Sequence, residues 1–262
     1  MKGPGAVMFF FEVGKRNVLH VGDFRWSNDV MLQNSSSPLR KIASQKIKLD
    51  ELYLDTTYCN EKYLLPSQAA AIKVTITTFG KEHESGERTL HLFGAYTIGK
   101  EKVYLSVAKY FGLKVYVDKA RYKILSALEL PNESMQLLTT NKEDAKLWVV
   151  PMSHLNMKKM PEYLSLANSK PFAPSYTRIC GYRPSGWSFS ASGFVSSRRC
   201  GSLVIHSVPY SEHSSFPELL DCLACLKPAR IVPTVKATQS NEQVKMLLNG
   251  LKNRQTQLRF GL

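Results

Sequence analysis

The chain has 262 residues, enough for one large domain or two ordinary ones. Its composition, 44% apolar and 21% charged, excludes wholesale disorder. The 35 Lys and Arg against 21 Asp and Glu leave a net charge of +14, which favours an acidic partner, nucleic acid ahead of anionic membrane. No window approaches the roughly 18 uninterrupted apolar residues of a spanning helix. The first apolar run stops at Glu12, too short for a signal-peptide core.

Residues 7–13 and 18–21 read as strands around a turn at 14–17, and Gly22-Asp23-Phe24-Arg25 follows directly, so Asp23 lies at a strand's exit. Residues 34–38 form a polar loop. Residues 49–54 are a second strand pattern that releases another acid, Asp55, into Thr56-Thr57-Tyr58. A helix begins at Pro66, with Ser67 and Gln68 in its first turn. Residues 90–93 are a short strand before Tyr96-Thr97-Ile98-Gly99-Lys100-Glu101. A helix carrying Val103, Val107 and Phe111 comes next and stops at Gly112. Strand 114–117 and helix 119–128 complete a strand–helix–strand–helix run that predicts a parallel-sheet unit and a mixed α/β fold. Residues 147–150 and 178–182 read as further strands, and 185–202, rich in Ser, Gly and Arg, as a loop. Strand 203–208 ends in Pro209-Tyr210-Ser211-Glu212-His213-Ser214-Ser215, before a helix and a last strand at 230–235. The tail after Ala237 is polar and weakly helical.

The five cysteines are odd in number and scattered, which points to a reducing compartment. Cys222 and Cys225 form a C-x-x-C inside an apolar helical stretch, with no second pair to complete a zinc site. They read as ordinary helical cysteines.

Four strand ends therefore present polar groups: Asp23, Asp55, the Thr97–Lys100 turn, and Glu212 with His213. Sites in open α/β sheets are built at the carboxyl ends of strands. Two acids and a histidine delivered there suit a divalent metal, although a strand-exit Asp also serves as a turn former and a lone His as a structural group. Thr97-Ile98-Gly99-Lys100 opens a helix, whose backbone N–H groups and positive dipole end can take a phosphate with Lys100 as a point charge, or can simply cap the helix. Arg183 and Trp187 offer a guanidinium and an aromatic face to DNA, or a structural pair.

Seven blocks in order carry a family resemblance over roughly residues 4–236. They are Pro4-Gly5-Ala6-Val7-Met8, Gly22-Asp23-Phe24-Arg25, Tyr53-Leu54-Asp55-Thr56-Thr57-Tyr58-Cys59, Tyr96-Thr97-Ile98-Gly99-Lys100-Glu101, Arg183-Pro184-Ser185-Gly186-Trp187, the block from Pro209 to Ser215, and Ile231-Val232-Pro233-Thr234-Val235. Together they resemble the metallo-β-lactamase/β-CASP DNA cross-link repair nucleases, the family of the nitrogen-mustard-sensitivity protein, Artemis and Apollo.

The resemblance implies a metallo-β-lactamase αββα sandwich, its N-terminal half missing here, with an inserted α/β β-CASP cap. The implied boundaries are a partial core at 1–59, a cap at 60–201 and a return to the core at 202–262. It implies a nuclear, metal-dependent 5′–3′ exodeoxyribonuclease acting on single-stranded or damaged, 5′-phosphorylated DNA ends, with a divalent metal, zinc in this family. Asp23 takes the place of a metal ligand, and Asp55 and His213 take catalytic places. Thr97, Gly99, Lys100, Arg183, Ser185 and Trp187 fall on phosphate- and DNA-binding places. Val235 falls at the position that separates DNA-directed members from the RNA-processing branch. One departure matters: the family's main ligand motif, H-x-H-x-D-H, does not occur among the six histidines, and the next ligand position falls on Lys2. The chain therefore reads as the C-terminal part of a nuclease, with a catalytically inactive DNA-binding remnant or splice form as the alternative. Hydrolysis of a small lactam or thioester fits such a fold but not the charge.

Overall fold

The computed structural model describes residues 7–169, 175–188 and 195–260. Lys2 and residues 4–6 of the first motif block, like part of the 185–202 segment, lie outside the described residues.

In chain order the elements are β1 (Phe9–Val13), β2 (Arg16–His20), α1 (Asn28–Met31), α2 (Pro38–Ala43), β3 (Glu51–Leu54), α3 (Gln68–His83), β4 (Thr89–Ala95), α4 (Glu101–Phe111), β5 (Val115–Tyr116) and α5 (Lys119–Ser126). They continue as α6 (Asn132–Met135), β6 (Leu138–Thr139), β7 (Leu147–Pro151), α7 (Met160–Ala167), β8 (Arg178–Pro184), β9 (Ser196–Cys200), β10 (Leu203–Val208), α8 (Phe216–Leu226), β11 (Arg230–Pro233) and α9 (Ser240–Phe260). The chain divides into two compact units: a discontinuous one of Gly5–Leu65 with Glu212–Leu262, and one whose body is Pro66–Ser211. Both are mixed α/β. No helix among the described residues is long and apolar enough to cross a membrane.

The discontinuous unit holds a four-stranded sheet in the order β1-β2-β3-β11, antiparallel between β1 and β2 and parallel beyond. Leu19, Leu52 and Leu54 pack with Leu219, Leu223 and Leu226 of α8 and with Leu247 of α9. Gly22 turns the chain out of β2 at φ +60°, and a Cβ there would stand 3.0 Å from the Val7 carbonyl, so the turn that delivers Asp23 needs a glycine. The start of α8 is fixed twice. Ser215 and Glu218 form a capping box, and Arg25 reaches Glu218 Oε1 through both Nε and Nη2 at 3.0 Å.

The Pro66–Ser211 unit is built on a seven-stranded sheet, β6-β5-β7-β4-β8-β10-β9, parallel except for β9. Its central strands are buried on both faces, as parallel strands between two layers are. Cys180, Tyr182, Val204 and Val208 face the cluster that includes Phe79, Val103 and Val107. Ile179 and Ile205 face the one that includes Leu155 and Met160. A Cβ on Gly94 would lie 2.7 Å from Leu155 Cδ1, and one on Gly181 would lie 3.1 Å from Leu155 Cδ2. The two glycines thus form the notch that seats Leu155. Because β4, β8 and β10 run parallel side by side, the loops after Ala95, Pro184 and Val208 leave from one edge of the sheet.

Two segments differ from the sequence reading. Part of the 185–202 loop is strand β9, whose residues are all exposed. It carries no apolar alternation and is held by main-chain pairing to β10 and by Ser197 Oγ, 2.8 Å from His206 Nδ1, with Arg198 and Arg199 on an edge where charge discourages further pairing. The weakly helical tail is the 21-residue helix α9. Buried Gln243, Leu247 and Gly250, together with partly buried Met246, seat it, and tertiary packing of this kind overrides a poor intrinsic propensity. All five cysteines are free thiols, and Cys222 lies inside the core of its unit.

Three outcomes follow from this packing. Gly94→Ala overpacks the Leu155 notch and should cost about 1–3 kcal/mol in urea unfolding. Arg25→Ala leaves a largely buried Glu218 carboxylate without its cation, and should lower stability by about 2–3 kcal/mol. His91 is buried on β4, with Nδ1 3.2 Å from Tyr182 Oη, and burial lowers its imidazole to about 3. The unfolded chain takes up that proton near 6.5 and the folded chain only near 3. Stability therefore falls as pH drops from about 6.5, by at most about 1.4 kcal/mol per pH unit from this group. The urea midpoint of His91→Phe should fall less than the wild-type midpoint between pH 6.5 and 5.5.

Candidate functional site

Asp55 is the residue on which the site is built. It follows β3 directly and is 2% exposed. Its Oδ1 accepts from Thr57 N at 3.0 Å and Thr57 Oγ1 at 2.6 Å, an Asx turn made by the sequence Asp-Thr-Thr itself. Its Oδ2 accepts from Phe24 N at 3.4 Å and lies 2.6 Å from His213 Nδ1. Burial alone would raise this carboxyl, but the hydrogen bonds from His213 and Thr57, with the charge of His213, hold it below the usual carboxylate range.

His213 reaches Asp55 because its loop is sewn to the loop after β2. Ser214 N donates to Phe24 O at 2.9 Å, Ser214 Oγ accepts from Trp26 N at 2.9 Å, and the same hydroxyl donates to Phe24 O at 3.2 Å. Tyr58 meets the His213 ring edge-on at 6.2 Å between centroids. Asp23 stands exposed on the Gly22 turn. One donor atom each from Asp23, Asp55 and His213 lie within 4.8 Å of one another. Two carboxylates and an imidazole at that spacing fit a divalent cation. Within the set, Asp55 and His213 also bind each other, so the acid fixes which imidazole nitrogen carries the proton. Val235 is tied to the segment after β3, with Thr56 Oγ1 3.3 Å from its carbonyl and Thr234 N bonded to Leu54 O at 2.9 Å.

The other residues singled out in the sequence belong to the Pro66–Ser211 unit. Thr97, Gly99 and Lys100 lie in the turn after β4, with Gly99 at φ +94° and Lys100 at φ +74° at the N-terminus of α4. Lys100 is buried, its Nζ 5.1 Å from the centroid of the Tyr210 ring, which links the loop after β4 to the loop after β10. Arg183 is half-buried at the end of β8 and donates Nη2 to the Leu155 carbonyl. Ser185 N donates to Val208 O at 2.9 Å, and Ser185 Oγ accepts from Trp187 N at 3.3 Å. Trp187 is 59% exposed, which opposes a core role.

Thus Asp23, Asp55 and His213 come together and Val235 meets Thr56, the residue after Asp55, while the other six positions share the strand-exit edge of the Pro66–Ser211 sheet. The sequence reading missed Thr57 and Ser214, which position the site. Thr57 had a signal in the Asp-x-Thr turn. Ser214 had none, because its partners lie 188 and 190 residues away in the chain.

The family described as DNA repair metallo-beta-lactamase matches residues 132–239. DNA cross-link repair 1A protein from Homo sapiens is 37% identical over 237 residues, covering 88% of this chain and 21% of that protein. DNA cross-link repair protein SNM1 from Arabidopsis thaliana is 34% identical over 249 residues, covering 93% of this chain and 49% of that protein. 5′ exonuclease Apollo from Gallus gallus is 28% identical over 233 residues, covering 89% of this chain and 43% of that protein. The chain spans between about a fifth and a half of the length of these curated relatives. The similarity runs through both compact units and the family match crosses from one to the other, so the chain resembles the DNA repair metallo-beta-lactamase family over most of its length.

Proposed function

We propose that this chain carries the phosphate-engaging part of a nuclear DNA cross-link repair 5′–3′ exonuclease, acting on single-stranded or damaged DNA with a 5′-phosphate. The observation that carries the reading is the 2.6 Å hydrogen bond between buried Asp55 and His213, with Asp23 alongside. In this reading residues 1–59 and 202–262 belong to the metallo-β-lactamase core, and 60–201 form the β-CASP cap. A divalent metal, zinc in this reading, held in part by Asp23 would polarise a phosphoryl oxygen and acidify an attacking water.

The remaining chemistry falls to the chain's own residues. Asp55 accepts from Nδ1 and holds the His213 ring in one tautomer, which puts the lone pair on Nε2. That nitrogen takes or gives a proton at the phosphate. Thr57 keeps Asp55 ionised by donating two hydrogen bonds to it. Val235 shapes the site for DNA. In the cap, Thr97, Gly99 and Lys100 receive a phosphate at the start of α4, Arg183 and Ser185 contact the backbone, and the exposed Trp187 offers its face to a base.

The net charge of +14 favours a second reading, in which the chain binds DNA without cutting it. A purified-chain assay separates the two. With zinc present, 5′-phosphorylated single-stranded DNA should shorten stepwise from its 5′ end, and His213→Ala should slow this by about 10²–10⁴ with little change in KM. Binding without shortening supports the second reading. In either case, affinity should fall at least about tenfold between roughly 50 and 200 mM salt, and salt-independent binding would exclude a nucleic-acid ligand.

A further inference from the structure

A second group of metal-capable side chains lies inside the Pro66–Ser211 unit and shares no residue with the Asp23–Asp55–His213 cluster. Glu82 is on α3, Cys180 on β8 and His206 on β10, and all three are buried. His206 Nε2 is 3.0 Å from Glu82 Oε1, Cys180 Sγ is 3.6 Å from Glu82 Oε2, and one donor atom from each residue lies within 4.8 Å of the others. Zinc bonds of about 2.0–2.3 Å at tetrahedral angles put neighbouring donors about 3.3–3.8 Å apart, so the trio needs only small adjustments to close on an ion. The donors are one carboxylate oxygen, one thiol sulfur and one imidazole nitrogen, a borderline-soft set that suits zinc and disfavours magnesium or calcium. The far side of the ring is also prepared. His206 Nδ1 is 2.8 Å from Ser197 Oγ, the outer hydrogen bond that turns a histidine's Nε2 toward a metal.

The competitor is Arg178, whose Nη2 lies 2.5 Å from Glu82 Oε2. Its other branch holds Glu87 Oε2 at 2.7 Å, so the guanidinium keeps a carboxylate when a cation takes Glu82. Arg199 is 3.8 Å from Glu82 Oε1 with an exposed side chain that can turn to solvent. From this arrangement we propose that Glu82, Cys180 and His206 form a structural site for zinc or a cation of like softness, which ties helix α3 to strands β8 and β10. On binding, the Cys180 thiol gives its proton to solvent and its sulfur takes the metal in its place, and no electron is transferred.

Cobalt(II) titration of the full chain tests this, because a thiolate on cobalt gives a near-ultraviolet charge-transfer absorption that the cysteine-free Asp23 cluster cannot produce. The band should appear in the wild type, vanish in Cys180→Ala and require at least about tenfold more cobalt in His206→Gln. It should be unchanged in Cys59→Ala, Cys200→Ala and Cys222→Ala. Zinc at about 100 times its Kd should also raise the wild-type melting temperature about 5 °C or more above the shift in Cys180→Ala. No band in the wild type, or a band that survives Cys180→Ala, overturns the site. Should Cys180→Ala fail to fold, X-ray absorption on cobalt-loaded Asp23→Asn protein decides instead. One sulfur in the metal's shell is expected, and a shell of nitrogen and oxygen alone overturns the proposal.

Discussion

Ser214 joins two loops that the chain separates by 190 residues, and the candidate site depends on that join. Its amide and hydroxyl take up the Phe24 carbonyl and the Trp26 amide, so the main chain on both sides is satisfied in a place closed to water. Each bond contributes only about 1 kcal/mol net, but an unmade one would strand a buried polar group at a larger cost. The loops are therefore held in one register. One residue before Phe24 and one before Ser214, Asp23 and His213 are delivered against Asp55. Glu218 extends the same join, capping α8 through Ser215 and binding Arg25 from the facing loop.

Asp55 shows what that register makes possible. A carboxylate at this burial would normally take up a proton. Here two donors from Thr57, the Phe24 amide and the imidazole surround it, and it stays ionised. The ionised acid then orients the histidine. Glu82, in the other unit, is also a buried carboxylate and meets Arg178 and His206 from neighbouring strands, with Cys180 alongside. Both units thus bury a carboxylate beside a histidine. In one the arrangement sits at a strand exit open to solvent, and in the other it is enclosed between helix and sheet.

The parallel sheet of the Pro66–Ser211 unit accounts for the rest of the arrangement. Three adjacent strands running the same way must release their loops along one edge, which gathers the Thr97–Lys100 turn, Ser185 with Trp187, and the Pro209–Ser211 segment. The paired glycines Gly94 and Gly181 admit Leu155 against the sheet, and the Leu155 carbonyl in turn anchors Arg183. Packing and polar placement at that edge are therefore coupled through one leucine.

Most strands and helices were legible from the sequence, because local pattern decides them. The short, largely apolar stretch of β4, the Gly14 hairpin turn, the Ser215, Pro217 and Glu218 start of α8 and the Gly112 stop of α4 are all signals within a few residues of what they control. Asp23, Asp55 and His213 were also visible as polar groups at strand exits, and the order of the motif blocks gave their family. Strand β9 and the length of α9 were not legible, since one is set by pairing to β10 and the other by contacts with distant helices and strands. What the sequence alone determined is which chemical groups stand at the ends of which elements, because propensity and periodicity are local. Only the tertiary structure decided which groups meet: Ser214 with Phe24, His213 with Asp55, and Glu82 with Cys180 and His206, pairs set 98 to 190 residues apart by closure of the sheets.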